Sequence, residues 1–169
     1  EFLSCIPGTV GGGIRMNSGC FNKEFKDILI SVQALDAKGR VFTIPSNKIK
    51  FGYRETDLSS ELIFLSASFK GKYKDKKLIK DEVNLLKNKK ELSQPTRIKT
   101  SGSTFKNPID QTKKKVWELI KESVPKNIKF GDAEISKKHC NFFVNTNNAS
   151  FEDMNNLINF VKKKVKEKK

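Results

Sequence analysis

Ile6-Pro-Gly-Thr-Val-Gly-Gly-Gly-Ile-Arg-Met-Asn-Ser-Gly-Cys20 decides how the rest of the chain is read. Gly8, Gly11, Gly12 and Gly13 are free to take positive φ and to bare their N–H groups, which a backbone needs where it meets a diphosphate or the edge of a ring system. A tight surface turn uses the same glycines, but surface turns are polar. This one is walled by Phe2, Leu3, Ile6, Val10, Ile14 and Met16, which predicts a segment buried against a ligand or a core.

Outward from that segment, residues 28–35 read as a strand, 36–39 as a turn and 39–44 as the hairpin partner. Residues 62–69 place Ile63, Leu65, Ala67 and Phe69 on one face with Leu62 and Phe64 on the other, which predicts a strand buried on both sides. Residues 74–90 carry Leu78, Ile79, Val83 and Leu86 at helical spacing and stop before Gln94 and Pro95, where a first unit closes. A polar opening over residues 98–108 then leads to a helix around 116–120, a strand and turn over 128–135 and an inner strand over 141–145. Ser150 is placed as the N-cap of a last helix, with Asp153 at the N3 position and Met154, Leu157, Ile158 and Val161 as its apolar stripe. The expected fold class is α+β, in two units spanning residues 1–95 and 96–169.

A chain of 169 residues suffices for one compact domain or two small ones, and its 13 phenylalanines argue against disorder. The net charge of +15 invites a nucleic-acid reading. However, the lysines concentrate over residues 70–90, 113–121 and 162–169, with only Tyr73 and Trp117 among them as stacking platforms, so solvated helix faces explain them better. Cys5, Cys20 and Cys140 are odd in number and follow no metal-ligand spacing, so neither a disulfide framework nor a metal site is expected, and a reduced, cytoplasmic chain is. No run approaches transmembrane length and no signal peptide is visible, so no membrane partner is expected. The chain opens at Glu1 and stops inside a lysine-rich helix, which suggests a fragment lacking both ends.

Three polar groups stand out. Phe51-Gly-Tyr-Arg54 sets a guanidinium beside an aromatic ring, either to clamp a carboxylate or phosphate or as an ordinary surface arginine packed on Tyr53. Gly102-Ser-Thr-Phe-Lys-Asn-Pro108 puts the Ser103 hydroxyl directly after a glycine, as a proton donor or as a turn residue that satisfies its own backbone. His139, the sole histidine, has no acidic partner at regular spacing and reads as a packing or hydrogen-bonding residue.

In this order, the glycine segment with Met16 and Asn17, then Gly52-Tyr-Arg54, then Gly102 to Pro108, then His139-Cys-Asn-Phe-Phe-Val-Asn145, the chain resembles the UDP-N-acetylenolpyruvoylglucosamine reductase (UDP-N-acetylmuramate dehydrogenase) family along essentially its whole length. The resemblance implies the latter part of an FAD-binding domain of the vanillyl-alcohol-oxidase-like type, followed by a small α+β substrate-binding domain, with the site between them. It implies a flavoenzyme of peptidoglycan precursor synthesis that uses NADPH and FAD to reduce UDP-N-acetylglucosamine enolpyruvate.

By matching position, Ile6, Pro7, Gly8, Thr9, Val10, Gly11, Gly12, Gly13, Met16 and Asn17 would meet the cofactor. Arg54 would hold the substrate carboxylate and Ser103 would donate a proton, while Tyr53, Lys106, Asn107 and His139 would line the substrate side. Asn141 and Asn145 fall in the same recurring segment. The family's upstream glycine-rich segment and its late glutamate have no counterpart in these residues. The short stretch between Phe69 and Ile98 matches the shorter family form, which lacks a tyrosine loop over the substrate. Two other readings stand beside this one: a UDP-sugar-binding fragment without redox chemistry and, behind it, a basic nucleic-acid-binding domain.

Overall fold

Alternation around Val32 builds the first sheet of the computed structural model, which describes residues 1–168. Strand β3 (Leu29–Leu35) turns Leu29, Val32 and Ala34 inward. It pairs antiparallel with β4 (Val41–Pro45) through Val32↔Ile44 and with β7 (Ile63–Phe69) through Val32↔Ala67, giving the order β4-β3-β7. Two short hairpins accompany this sheet: β1 (Gly19–Cys20) with β2 (Lys23–Glu24) precedes it in sequence, and β5 (Phe51–Gly52) with β6 (Glu55–Thr56) falls between β4 and β7. Ile14, Phe25, Leu29, Val32 and Ile49 form the core, with Ile44, Phe64 and Ala67 packed against it. Each of the five buried core side chains stabilises the fold by roughly 1.5–3 kcal/mol on burial.

Two expectations change here. Of the glycines in the opening segment only Gly8 has positive φ, at 125°, because residues from Val10 to Arg15 form a helix, α1 (Val10–Arg15). Helical glycines cost roughly 1 kcal/mol each relative to alanine. Packing offsets this: Gly13 faces the Phe25 ring, Gly11 faces Phe64, and the Thr9 hydroxyl accepts the Gly12 N–H at 3.0 Å as N-cap. The second change concerns β7, which is buried on one side only. Phe64 and Ala67 meet the core, whereas Ile63 is 60% and Leu65 50% exposed.

Helix α2 (Lys76–Ser93) follows, with no buried residue. The chain divides into two compact units, Glu1–Lys89 and Lys90–Lys169. In the second, β8 (Lys99–Ser103), β9 (Lys129–Phe130), β10 (Ala133–Ile135) and β11 (Phe142–Asn145) form an antiparallel sheet in the order β8-β11-β10-β9. Helices α3 (Val116–Ser123) and α4 (Phe151–Glu167) supply Val116, Ile120, Leu157 and Val161 to a core completed by Ala133 and Phe143. The expected capping box opens α4: the Ser150 hydroxyl accepts the Asp153 N–H at 3.0 Å, and Asp153 returns a bond to the Ser150 N–H at 2.8 Å. No helix among the described residues is long and apolar enough to cross a membrane.

Candidate functional site

In the first unit the glycine segment borders a groove of about 340 Å³. Ile6, Pro7, Gly8, Thr9 and Val10 line one stretch of it, and Gly12, Gly13 and Met16 continue the wall next to Phe25. Val10 and Met16, apolar yet 54% and 42% exposed, stand at its margin. A groove lined by apolar side chains and glycines suits a flat aromatic ring system. Gly11 and Asn17 do not line it. Gly11 faces Phe64, and the Asn17 side chain is fully buried.

Asn17 belongs to a polar cluster beneath the small hairpins. Its Nδ2 donates to Glu24 Oε2 at 2.9 Å and to the Gly52 carbonyl at 3.0 Å, while its Oδ1 accepts the Lys26 N–H at 3.1 Å. Arg54 occupies the turn between β5 and β6 at φ 59°, and its Cζ lies 5.0 Å from the centre of the Tyr53 ring. Its Nη1 donates to Glu24 Oε1 at 3.1 Å and to the Asn17 carbonyl at 3.3 Å, and its Nη2 to the Gly19 carbonyl at 2.8 Å. Lys26 Nζ reaches Glu24 Oε2 at 2.9 Å, and this hydrogen bond and charge raise the Lys26 pKa. Arg15, outside any expected site, ties α1 to the loop before β7 through the carbonyls of Leu58, Ser59 and Leu62.

In the second unit Gly102 has φ 88°, a backbone that strains any side chain, and it directs the chain into the exposed Ser103. The Ser103 hydroxyl enters no hydrogen bond among the described residues. The turn after it is held from the residue before β11: Asn141, 4% exposed, accepts the Phe105 N–H at 3.0 Å and donates to the Phe105 carbonyl at 2.9 Å, and its own carbonyl accepts the Thr104 N–H at 2.8 Å. His139 steadies Asn141, since its Nδ1 accepts the Asn141 N–H at 3.2 Å while its ring meets Phe142 edge-on. Burial lowers the His139 pKa, which favours the neutral imidazole.

Asn107 caps the entry to α3 by accepting the Val116 N–H at 3.0 Å, and the Asn145 side chain accepts the N–H groups of Asn147 and Ala149 ahead of α4. Lys106 is exposed. The structure thus groups Arg54 with Asn17 and Tyr53 in one unit, and Ser103 with His139 and Asn141 in the other. Glu24, the acidic partner of Arg54, escaped sequence reasoning because it lies in a two-residue strand 30 positions away.

An α+β chain of this topology has the fold of a known reductase. The crystal structure of UDP-N-acetylenolpyruvylglucosamine reductase from Thermus caldophilus matches 94% of this chain and 57% of that one, with TM-score 0.81 and 32% identity. Residues 94–169 match the family model for the UDP-N-acetylenolpyruvoylglucosamine reductase C-terminal domain. The enzyme of that name from Pelagibacter ubique is 69% identical over 99% of this chain and 56% of its own length. That from Rickettsia prowazekii is 42% identical over 98% of this chain and 55% of its own. The chain belongs to the UDP-N-acetylenolpyruvoylglucosamine reductase family, and it spans about half the length of the curated relatives it matches.

Proposed function

We propose that this chain supplies binding and catalytic residues to a cytoplasmic FAD- and NADPH-dependent reductase that converts UDP-N-acetylglucosamine enolpyruvate to UDP-N-acetylmuramate for peptidoglycan synthesis. Residues 1–95 belong to its flavin-binding part and 96–169 to its substrate-binding part. The observation that carries the reading is the partly engaged Arg54, whose Nε–H and second Nη2–H have no acceptor among the described residues.

The groove beside Gly8, Gly12 and Gly13 fits a flavin ring, with Ile6, Val10 and Met16 as apolar contacts. A bound flavin would supply a hydride for the enolpyruvyl double bond, at its methylene carbon. Arg54 holds the substrate carboxylate, where electron density accumulates in the transition state, so a fixed guanidinium stabilises charge as it develops. Ser103 delivers a proton to the neighbouring carbon, which completes saturation of the double bond. A serine hydroxyl is a weak acid, so this role requires a strongly basic carbon and fixed geometry. Gly102 and the Asn141 clamp provide that fixity. Tyr53, Lys106 and His139 complete the substrate side, and Asn17, Asn107, Asn141 and Asn145 shape it through their backbone bonds.

In the intact gene product, Ser103→Ala leaves flavin reduction by NADPH unchanged and slows flavin reoxidation by substrate about 100-fold or more. Stopped-flow absorbance separates the two half-reactions, and equal loss in both removes Ser103 as the proton donor. A purified gene product that binds the UDP-sugar without flavin absorbance would favour the non-redox reading instead.

A further inference from the structure

We propose that Glu24 is the positioning residue for Arg54, its carboxylate holding the guanidinium so that two N–H groups stay open to the carboxylate of the nucleotide-sugar ligand. This rests on the reading of Arg54 as the carboxylate clamp. An arginine side chain gives up about 2 kcal/mol of rotamer entropy when held in one pose. Two backbone carbonyls, those of Gly19 and Asn17, supply only partial charges for this. Glu24 Oε1, at 3.1 Å from Nη1, adds a full charge to the anchor.

The anchor is itself fixed from behind. Glu24 Oε2 accepts from Asn17 Nδ2 at 2.9 Å, and Asn17 is fully buried. Rotating the Asn17 amide would turn its oxygen toward the Glu24 carboxylate and its nitrogen toward the Lys26 N–H, so that bond holds the orientation. The β1–β2 hairpin is pinched to bring Glu24 into place. A Cβ on Gly19 would lie 2.3 Å from the Lys23 carbonyl oxygen and 2.7 Å from the Glu24 Cγ. With Lys26 also on Glu24 Oε2, two cations surround one carboxylate. An ion pair serving only to brace the fold would use up its donors, whereas Arg54 keeps two N–H groups on neighbouring nitrogens and a side chain 28% exposed.

The test is calorimetric titration of the intact gene product with two ligands, UDP-N-acetylglucosamine enolpyruvate and UDP-N-acetylglucosamine, which lacks the carboxylate. Glu24→Ala is expected to weaken the enolpyruvyl ligand about tenfold and to leave UDP-N-acetylglucosamine within about twofold, the size of one charge-assisted bond lost. Added to Arg54→Lys it should cause little further loss, because both substitutions disable the same contact. Equal weakening of both ligands would make Glu24 a structural residue and overturn the proposal. So would an unchanged Glu24→Ala alongside a selectively weakened Arg54→Lys. If Arg54→Lys itself shows no selective loss, the clamp reading fails first and takes the proposal with it. Should Glu24→Ala not fold, Glu24→Asp decides, since it keeps the charge and shortens the reach by one methylene: selective loss for the carboxylate ligand supports the proposal and its absence overturns it.

Discussion

A β-carbon on Gly13 would sit 2.4 Å from two ring carbons of Phe25, so this glycine serves helix packing as much as any ligand in the groove. His139 shows the same double use of one residue. Its ring is packed on Phe142, its Nδ1 accepts the Asn141 N–H, and burial lowers its proton affinity below that of the unfolded chain. The sign of the pH effect follows. Well above the unfolded value of about 6.5 the imidazole is neutral in both states and costs nothing; as pH falls through that value the unfolded chain binds the proton first, and stability is lost. The urea-unfolding free energy should therefore drop more between about pH 7.5 and about pH 5.5 in the natural protein than in His139→Gln. Parallel curves for the two proteins would show that His139 is not the group involved.

The β8 edge strand is carried by its partner. Lys99-Thr-Ser-Gly-Ser103 has little intrinsic strand preference, and it read as a polar opening because nothing in it alternates. Its ladder exists because β11 is buried and pairs with it through Ser103↔Phe142 and Thr100↔Val144. Asn141 completes the attachment with two bonds to Phe105. Asn141→Ala leaves the part-buried Phe105 N–H and carbonyl without their partner and should cost about 1–3 kcal/mol in denaturant midpoint experiments; a loss under about 0.5 kcal/mol would mean water replaces the amide. Elements with local signals were legible: the Asp36 turn, whose side chain accepts the Lys38 and Arg40 N–H groups, and the Ser150–Asp153 box. Helix α1 was not. Three consecutive glycines signal a flexible turn, and only contacts with Phe25 and Phe64, remote in sequence, make them helical.

Two separate cores organise the whole molecule, one around Val32 and Ile14 and one around Leu157 and Phe143. The site residues divide the same way: the motifs holding Arg54 and Ser103 were legible as a family pattern, while Glu24 and the Asn141 clamp depend on contacts made 30 and 36 positions apart. The surplus positive charge is carried mainly on exposed lysines, as solvated helix faces require. The second core joins two helices to a four-stranded sheet inside one continuous stretch, and the family model begins at residue 94, near the start of that unit at Lys90. A unit of this size lies above the roughly 40 residues below which disulfides or metals are usually needed. Its fully buried Phe143, Ile120, Leu157 and Val161 give it a core of its own. A polypeptide of residues 90–169 should therefore show native-like circular dichroism and one cooperative urea transition. Within it, Leu157→Ala should lower the unfolding free energy by about 2–5 kcal/mol through the cavity it leaves. A gradual, non-cooperative loss of signal in the parent polypeptide would mean that this core does not close without the first unit.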